Sequence, residues 1–253
     1  MNEKSIKIIV PVYNCEKWIS KTITSIKSQT YENFECCIIN DISTDNTADV
    51  IQDSIGLDRR FKFIDNTEKK YALKNIYDGI KFISSNDEDI LTTVDGDDWL
   101  AHDHVLETVY NVYKSTSCLI TYGNFCEYPT QKTHLAFSTP YDQDIIDNNS
   151  FRNTEWKASH LRTFKKKLWD RIDVDDLINP KTNQFYEVAW DLAFMYPMLE
   201  MAGNRSENIS EILYIYNKEN PLSDMYIKEQ EQLSIADDIR KKNKYSKVDF
   251  DDK

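Results

Sequence analysis

Asp95-Gly96-Asp97-Asp98 concentrates more potential chemistry than any other stretch of the chain. Three carboxylates and a glycine directly follow the apolar run Asp89–Val94. Ionised carboxylates this close repel, and at the end of a buried strand they are costly unless something positive binds. A divalent cation that also carries a phosphate would resolve the repulsion. Mg²⁺ or Mn²⁺ takes one or two carboxylates and fills its remaining positions with phosphate oxygens and water. The competing reading is a solvated acidic turn, with Asp98 or Asp103 helping to cap the next helix. An EF-hand loop does not fit, because its later ligand positions are missing. The four His form no H-x-x-x-H pair, and the five Cys (Cys15, Cys36, Cys37, Cys118, Cys126) form no C-x-x-C of zinc spacing. Any metal here would therefore be a hard cation held by oxygen.

Two more clusters follow apolar runs. Asn40-Asp41-Ile42-Ser43-Thr44-Asp45 comes after Phe34–Ile39. Asp41 could accept from a base N–H or a ribose hydroxyl, as acidic residues at strand ends do in dinucleotide folds; it could equally serve as a cap. Pro11-Val12-Tyr13-Asn14 closes the run Ile6–Val12. Tyr13 could stack on a base, or the segment could be an ordinary strand-to-helix turn. This join has neither G-x-G-x-x-G nor G-x-x-x-x-G-K-[ST], which disfavours nicotinamide dinucleotides and P-loop chemistry.

The elements that must position these clusters are legible from periodicity. Ile6–Val12, Phe34–Ile39, Phe61–Ile64, Asp89–Val94 and Cys118–Tyr122 read as strands. Between them, Asn14 is expected to cap a helix carrying Trp18, Ile19, Thr22, Ile23 and Ile26. A second helix starts at Ser43-Thr44-Asp45 and closes near Gly56, a third spans Tyr71–Ile83, and a fourth His102–Lys114. Strands alternating with crossover helices predict an α/β fold with a mostly parallel central sheet flanked by helices. Such sheets bind ligands beyond the carboxyl ends of their strands, which is where the three clusters lie. The second half is less regular. Residues 123–155 give no firm pattern, and Trp156–Trp169 carries most of the local positive charge. Glu187–Met201 reads as a helix, Ile212–Tyr216 as a strand, Asp224–Lys242 as a charged surface helix and Tyr245–Lys253 as a frayed polar tail. Cys36 and Cys37 should face opposite sides of their strand.

The chain has 253 residues and a net charge of -12, from 31 Lys+Arg against 43 Asp+Glu. That balance argues against general nucleic-acid binding, which needs clustered cations. No apolar run approaches the roughly 20 residues of a spanning helix, so no transmembrane segment is expected. The opening MNEKSIKIIVPVYN lacks a secretory pattern. The odd cysteine number suits reduced, buried thiols. A cytoplasmic location follows as the expectation, with the cytoplasmic face of a membrane open to a peripheral protein.

The clusters gain weight as an ordered set. P-V-Y-N, then I-K-S-Q-T-Y-E-N-F-E (Ile26–Glu35), N-D-I-S-T-D-N-T (Asn40–Thr47) and D-G-D-D-W-L (Asp95–Leu100) occur in this order at successive strand ends. The set resembles the family 2 glycosyltransferases of the GT-A fold, inverting enzymes that use nucleotide-sugars. The resemblance is close over residues 5–125 and looser over 156–220. It implies one GT-A domain over residues 1–220, with a Rossmann-like nucleotide-sugar half (1–125) and an acceptor and catalytic half (126–220). A C-terminal helix and polar tail (221–253) would follow. By the same resemblance Pro11, Val12, Tyr13, Asn14, Asp41, Asp95 and Gly96 would hold the nucleotide, and Asp97 with Asp95 would ligate Mn²⁺ or Mg²⁺. Asn75, in Ala72-Leu73-Lys74-Asn75, resembles an A-x-x-N stretch beside the sugar. Two departures stand out: Asn40 where relatives often carry Asp, and Ile42 in place of the usual Gly.

The resemblance also implies a catalytic base, usually an Asp in an acidic turn before a helix. The stretch here is Glu187-Val188-Ala189-Trp190-Asp191-Leu192, with Trp190-Asp191 where relatives show Glu-Asp. Asp191 is the candidate base, with Glu187 as its rival and simple helix capping as the plain alternative. His160, Arg162 and Trp190 are candidates for the diphosphate or sugar, against a surface cluster with Lys165–Lys167. The implied partners are a UDP-, dTDP- or GDP-sugar donor and a glycan, lipid-linked or protein acceptor. A phosphohydrolase is disfavoured because no hydroxyl residue follows D-x-D. A nucleotidyltransferase acting on sugar phosphates would want a Gly-rich basic loop near the start. A nucleotide-sugar-binding subunit without catalysis is the non-enzymatic alternative.

Overall fold

The computed structural model describes residues 5–133, 135, 137–222 and 229–250. The first half is built of strand–helix units. Strand β1 (Ile6–Val12) is buried along its whole length, as a strand covered on both faces must be. It is followed by α1 (Ile19–Lys27), whose Ile19, Thr22, Ile23 and Ile26 recur at helical spacing and are buried. Then come β2 (Phe34–Asn40), α2 (Thr47–Ile55), β3 (Phe61–Asp65), α3 (Tyr71–Ile83) and β4 (Ile90–Thr93). A two-residue strand β5 (Trp99–Leu100) precedes α4 (Val105–Ser115) and β6 (Ile120–Tyr128). The second half contributes α5 (Gln143–Asp147), β7 (Ser159–Lys165), α6 (Lys166–Trp169), the two-residue pair β8 (Ile178–Asn179) and β9 (Gln184–Phe185), α7 (Trp190–Ala202), β10 (Ser206–Asn217) and α8 (Glu229–Arg240).

Eight strands form one sheet in the order β3-β2-β1-β4-β7-β6-β10-β5. β3, β2, β1 and β4 are mutually parallel, and so are β6 and β10. β7 runs antiparallel between β4 and β6, and β5 antiparallel to β10. The mostly parallel α/β sheet expected from periodicity is present. Its period-two logic divides the core into two clusters. Ile8, Cys36 and Ile38 pack with α1, α2 and α4, whereas Ile9, Cys37 and Ile39 pack with α3 and α7. The adjacent thiols Cys36 and Cys37 therefore face opposite sides, and all five cysteines are free.

Several expectations are corrected. Asn14 does not cap α1, whose N-terminal flank is Trp18. Instead Asn14 takes φ 52, accepts from Thr44 N (2.8 Å) and donates its own N–H to Ser43 Oγ (2.8 Å), stitching the turn after β1 to that after β2. The helix expected from Ser43 starts at Thr47, its Asp45 bonding Thr47 N instead. The basic stretch Trp156–Trp169 is not a surface cluster: it contains β7, where Arg162 and Lys165 are buried. Residues 245–250 are not frayed. Tyr245 donates N–H to Glu200 Oε2 (3.0 Å) and its hydroxyl to Asp176 (2.6 Å), Val248 N bonds Met201 O, and Tyr245, Val248 and Phe250 pack on the core. The stretch 224–228 of the expected surface helix lies outside the described residues. From Glu229 onward the helix forms, and it buries Ile235 and Ile239 beside α7.

α7 carries Asp191 in its first turn. It is buried from Leu192 to Ala202, so its apolar residues run all round rather than on one stripe. Pro197 lies inside it without ending it. A buried ion pair fixes the helix: Arg152 donates to Glu200 from Nε (2.6 Å) and Nη2 (2.9 Å), and from Nη1 to Ile239 O (2.7 Å).

Candidate active site

A cleft of ≈ 440 Å³ opens at the carboxyl ends of β1, β2 and β4. Because β7 is antiparallel and pairs Thr163 with Thr92, its beginning reaches the same edge and brings in His160 and Arg162. The start of α7 and the turn before it close the far wall with Trp190, Asp191 and Glu187. Of the residues singled out from sequence, Pro11, Val12, Tyr13, Asp41, Asn75, Asp95, Gly96, Asp97, His160, Arg162, Glu187, Trp190 and Asp191 all line this one cleft. Asn14 is not among its lining residues; its side chain is committed to the neighbouring turn.

The acidic turn is held from three directions. Thr22 of α1, fully buried, donates to Asp98 O (2.6 Å). Tyr214 on β10 accepts from Asp95 N (3.1 Å), and Asn220 donates to Asp97 Oδ2 (2.7 Å). Gly96 is required for close approach: a Cβ there would sit 2.9 Å from Val12 Cγ2 and 3.2 Å from Pro11 O. Asp98 does not cap α4. Its Oδ1 accepts from Asn217 N (2.7 Å) in the interior, and burial, reinforced by Asp97 and Asp95, pushes its carboxyl well above the usual range. Asp97 is raised too, chiefly by burial, against the opposing hydrogen bond from Asn220.

These carboxylates fit a divalent cation. Asp95 and Asp97 face the same cleft and offer only oxygen, and Asp97 carries a desolvation cost that no ion pair among the described residues offsets. Among the described residues no three His, Cys, Asp or Glu side chains converge on one point. Two carboxylates supplemented by diphosphate oxygens match what Mg²⁺ or Mn²⁺ commonly accepts.

Asp41 is a helix cap, but of a distant helix. Its Oδ1 accepts from Lys70 N (2.8 Å) and Asn66 Nδ2 (3.0 Å), and its Oδ2 from Tyr71 N (2.8 Å), so it satisfies the free amides at the start of α3. Burial alone would raise this carboxyl. The hydrogen bonds from Asn75, Lys70, Asn66 and Tyr71 outweigh it and hold Asp41 below the usual carboxylate range. Lys69 pairs with Asp41 Oδ2 (3.3 Å) and lies 2.9 Å from the centre of the exposed Tyr13 ring. Lys69 and Tyr71 thus belong to the cleft, although no sequence pattern pointed to them.

The two departures have physical accounts. Asn40 donates to Asp65 Oδ1 (2.8 Å) and accepts from the Ser43 hydroxyl (2.5 Å). An Asp at this position would oppose Asp65 with like charge. Ile42 adopts φ 56, keeping the left-handed backbone that Gly takes freely. Tyr71 and Ala189, both lining the cleft, also have positive φ. Such strain gathers at functional sites because the surroundings over-determine it.

Asp191 does not cap its helix through its side chain. Its Oδ2 accepts from Arg162 Nη2 at 2.7 Å, and the carboxylate is about one-fifth exposed. His160 is stacked on Tyr214 (4.4 Å between centres), and burial, with the Arg162 charge, pushes its imidazole well below the usual range. The residues missed from sequence, among them Cys15, Lys69 and Tyr71, reach the cleft by tertiary contact. The polar aromatic stretch Tyr214, Tyr216, Asn217 and Asn220-Pro221 reads from sequence either as a cover over the ligand or as a plain strand end and turn, and Tyr216 and Asn220 line the cleft.

A family model described as Glycosyl transferase family 2 matches residues 7–186. Glycosyltransferase GlyA of Streptococcus pneumoniae is 30% identical over 166 residues, 64% of this chain and 23% of GlyA. The Escherichia coli UDP-Glc:alpha-D-GlcNAc-diphosphoundecaprenol beta-1,3-glucosyltransferase WfgD is 32% identical over 170 residues, 66% of this chain and 56% of WfgD. The chain thus spans about a quarter of GlyA and just over half of WfgD. The mannosyltransferase PcManGT from Pyrobaculum calidifontis, solved with GDP-Man and Mn²⁺, superposes with a TM-score of 0.63 at 14% identity, covering 97% of this chain and 67% of that one. At that identity the likeness is one of fold.

Proposed function

The chain belongs to glycosyltransferase family 2, and on that premise we propose that it moves a sugar from a nucleoside-diphosphate sugar to an acceptor hydroxyl, with inversion at the anomeric carbon. The observation that carries the proposal is the single cleft in which Asp191, on the second half of the chain, faces the acidic turn after β4. Residues 1–125 supply the donor side. Tyr13 offers a stacking surface for the base, Asp41 a fixed carboxylate, and Pro11, Val12, Asp95 and Gly96 the walls around the ribose. Residues 126–220 supply the acceptor side, and Trp190 from that half and Asn75 from the first lie beside the sugar.

Asp191 takes the proton of the acceptor hydroxyl as its oxygen attacks the anomeric carbon, and the nucleoside diphosphate departs from the opposite side. The walls of the cleft hold donor and acceptor in line, which supplies much of the rate through lost freedom already spent on binding. Asp95 and Asp97 would hold Mn²⁺ or Mg²⁺, whose chemistry is to neutralise charge on the diphosphate.

A UDP-sugar donor is favoured by WfgD's name and a lipid-linked glycan acceptor likewise; GDP- and dTDP-sugars and protein acceptors are the further options for the donor and acceptor panels. No helix among the described residues is long and apolar enough to cross a membrane. A cytoplasmic protein working at the inner face of a membrane suits such an acceptor. The test is release of nucleoside diphosphate from a panel of nucleotide-sugars. Asp191→Asn should lower it by about a thousandfold, within the range of general-base loss. Undiminished release would remove Asp191 as the base and turn attention to Glu187.

A further inference from the structure

Arg162 is the one cation among the cleft-lining residues tied directly to Asp191. We infer that Arg162 is a positioning residue for Asp191 and does not hold the donor diphosphate. The inference rests on the reading of Asp191 as the base.

All three guanidinium nitrogens already have protein partners. Nε donates to Ala158 O (3.2 Å), Nη1 to His160 Nδ1 (3.3 Å) and Nη2 to Asp191 Oδ2 (2.7 Å). Arg nitrogens only donate, so Nδ1 of His160 is the acceptor and its proton sits on Nε2. Burial keeps that imidazole neutral, so it supports the guanidinium instead of repelling it. The ring is itself clamped, stacked on Tyr214 and edge-on to Phe125 at 6.0 Å. The Arg162 backbone is equally fixed, because β7 lies between β4 and β6 and Arg162 O accepts from Thr92 Oγ1 (2.9 Å). The side chain is 6% exposed.

A rigid guanidinium therefore grips one oxygen of a carboxylate whose Cα is set by the first turn of α7. Side-chain rotation of Asp191 is restricted, and Oδ1 is left for the acceptor hydroxyl. A diphosphate approaching the same guanidinium would meet a group already neutralised by Asp191. Its attraction would be weak compared with a cation held at Asp95 and Asp97.

The test uses the full chain and four variants: Arg162→Gln, Arg162→Lys, Asp191→Asn and the Arg162→Gln/Asp191→Asn double. Turnover is measured with whichever of UDP-Glc, UDP-GlcNAc and GDP-Man is consumed fastest, and binding by calorimetry with the matching nucleoside diphosphate and Mn²⁺. Arg162→Gln should lower kcat at least about tenfold while the diphosphate Kd stays within about twofold, as expected of lost orientation without lost binding. Arg162→Lys should recover only part of kcat, since an ammonium lacks the planar fork. In the Asp191→Asn background, Arg162→Gln should cost no more than about twofold, because groups acting as a unit are not additive. A tenfold-weaker Kd in Arg162→Gln, or a full additive loss in the double variant, would overturn the positioning role while leaving the base intact. Full turnover by Asp191→Asn alone would instead sink the base assignment, and the positioning role with it.

Discussion

The two halves of the sheet follow different rules of assembly. From β1 to β3 each strand lies beside the next one in the chain, joined by a crossover helix, β4 returns to the free side of β1, and the order β3-β2-β1-β4 is all parallel. Beyond β4 the order becomes β7-β6-β10-β5, with β7 inserted antiparallel between strands that precede it in the chain. The first half brings its chemistry to the strand ends by local geometry. The second half brings its chemistry by pairings between distant segments, such as Asn217 N to Asp98 and Asn220 to Asp97. A motif at the end of a local strand–helix unit is therefore placed by its immediate neighbours, whereas a residue on an inserted strand is placed by the whole sheet.

Four measurements would break or sharpen that contrast. The largest effect should come from the Arg152–Glu200 pair, which ties α7 to the C-terminal segments and is 2% and 0% exposed. Glu200→Ala leaves a buried guanidinium without its partner and should cost about 3–5 kcal/mol in denaturant unfolding. A loss below 1 kcal/mol would mean that the second half does not depend on its distant contacts. Asp97→Ala comes next, removing one carboxylate of the acidic turn together with its bond to Asn220: turnover should fall about a hundredfold, with donor binding losing its response to Mn²⁺. Chelator-insensitive, near-normal turnover would rule out a cation at the acidic turn.

Ile42→Gly should move the other way. The side chain is 40% exposed, and its left-handed backbone is strained, so the exchange should stabilise the protein by about 1 kcal/mol, read as a higher denaturant midpoint. A loss would show that Ile42 makes contacts outweighing its strain. The smallest effect concerns Glu88, which bridges to Lys165 on β7 and to Lys167. Burial opposes its ionisation, but the two ammonium groups hold its carboxyl down to about 2. A carboxyl lowered on folding stabilises above its unfolded value and loses that contribution as pH falls through its folded value. The melting temperature of the wild type should therefore exceed that of Glu88→Gln at neutral pH, and the gap should close between about pH 4.5 and 2. A constant gap would assign the difference to packing.

Legibility in the sequence follows the same division. β1, β2, α3 and the face of α1 could be read because burial on both sides makes parallel strands continuously apolar and covering helices periodic. The turn residues at their ends were visible for the same reason: once the strand is known, its carboxyl end is known. β7 was hidden because S-H-L-R-T-F-K alternates polar and apolar residues beside three lysines and looks like a solvated segment. Its polar members are buried only because they find partners elsewhere: Thr163 bonds Thr121 and Tyr113, and Lys165 bonds Glu88. The tail at 245–250 was hidden by its charges, which obscured three apolar residues that dock on the core.

The amino-acid order by itself determined the parallel donor-side sheet, the acidic turn at its edge and the family resemblance. The strands and the turn depend on residues within about one strand–helix unit of each other, where backbone geometry leaves little choice, and the resemblance on the order in which such units follow one another. Tertiary structure alone decided that Asp41 caps α3, that the Asn14 side chain bonds the turn after β2, and that Arg162 lies against Asp191. The first two depend on how neighbouring strand–helix turns meet, and the third on the register of β7 against β4 and the start of α7; hydrogen-bond partners many residues apart are specified only when the core has closed.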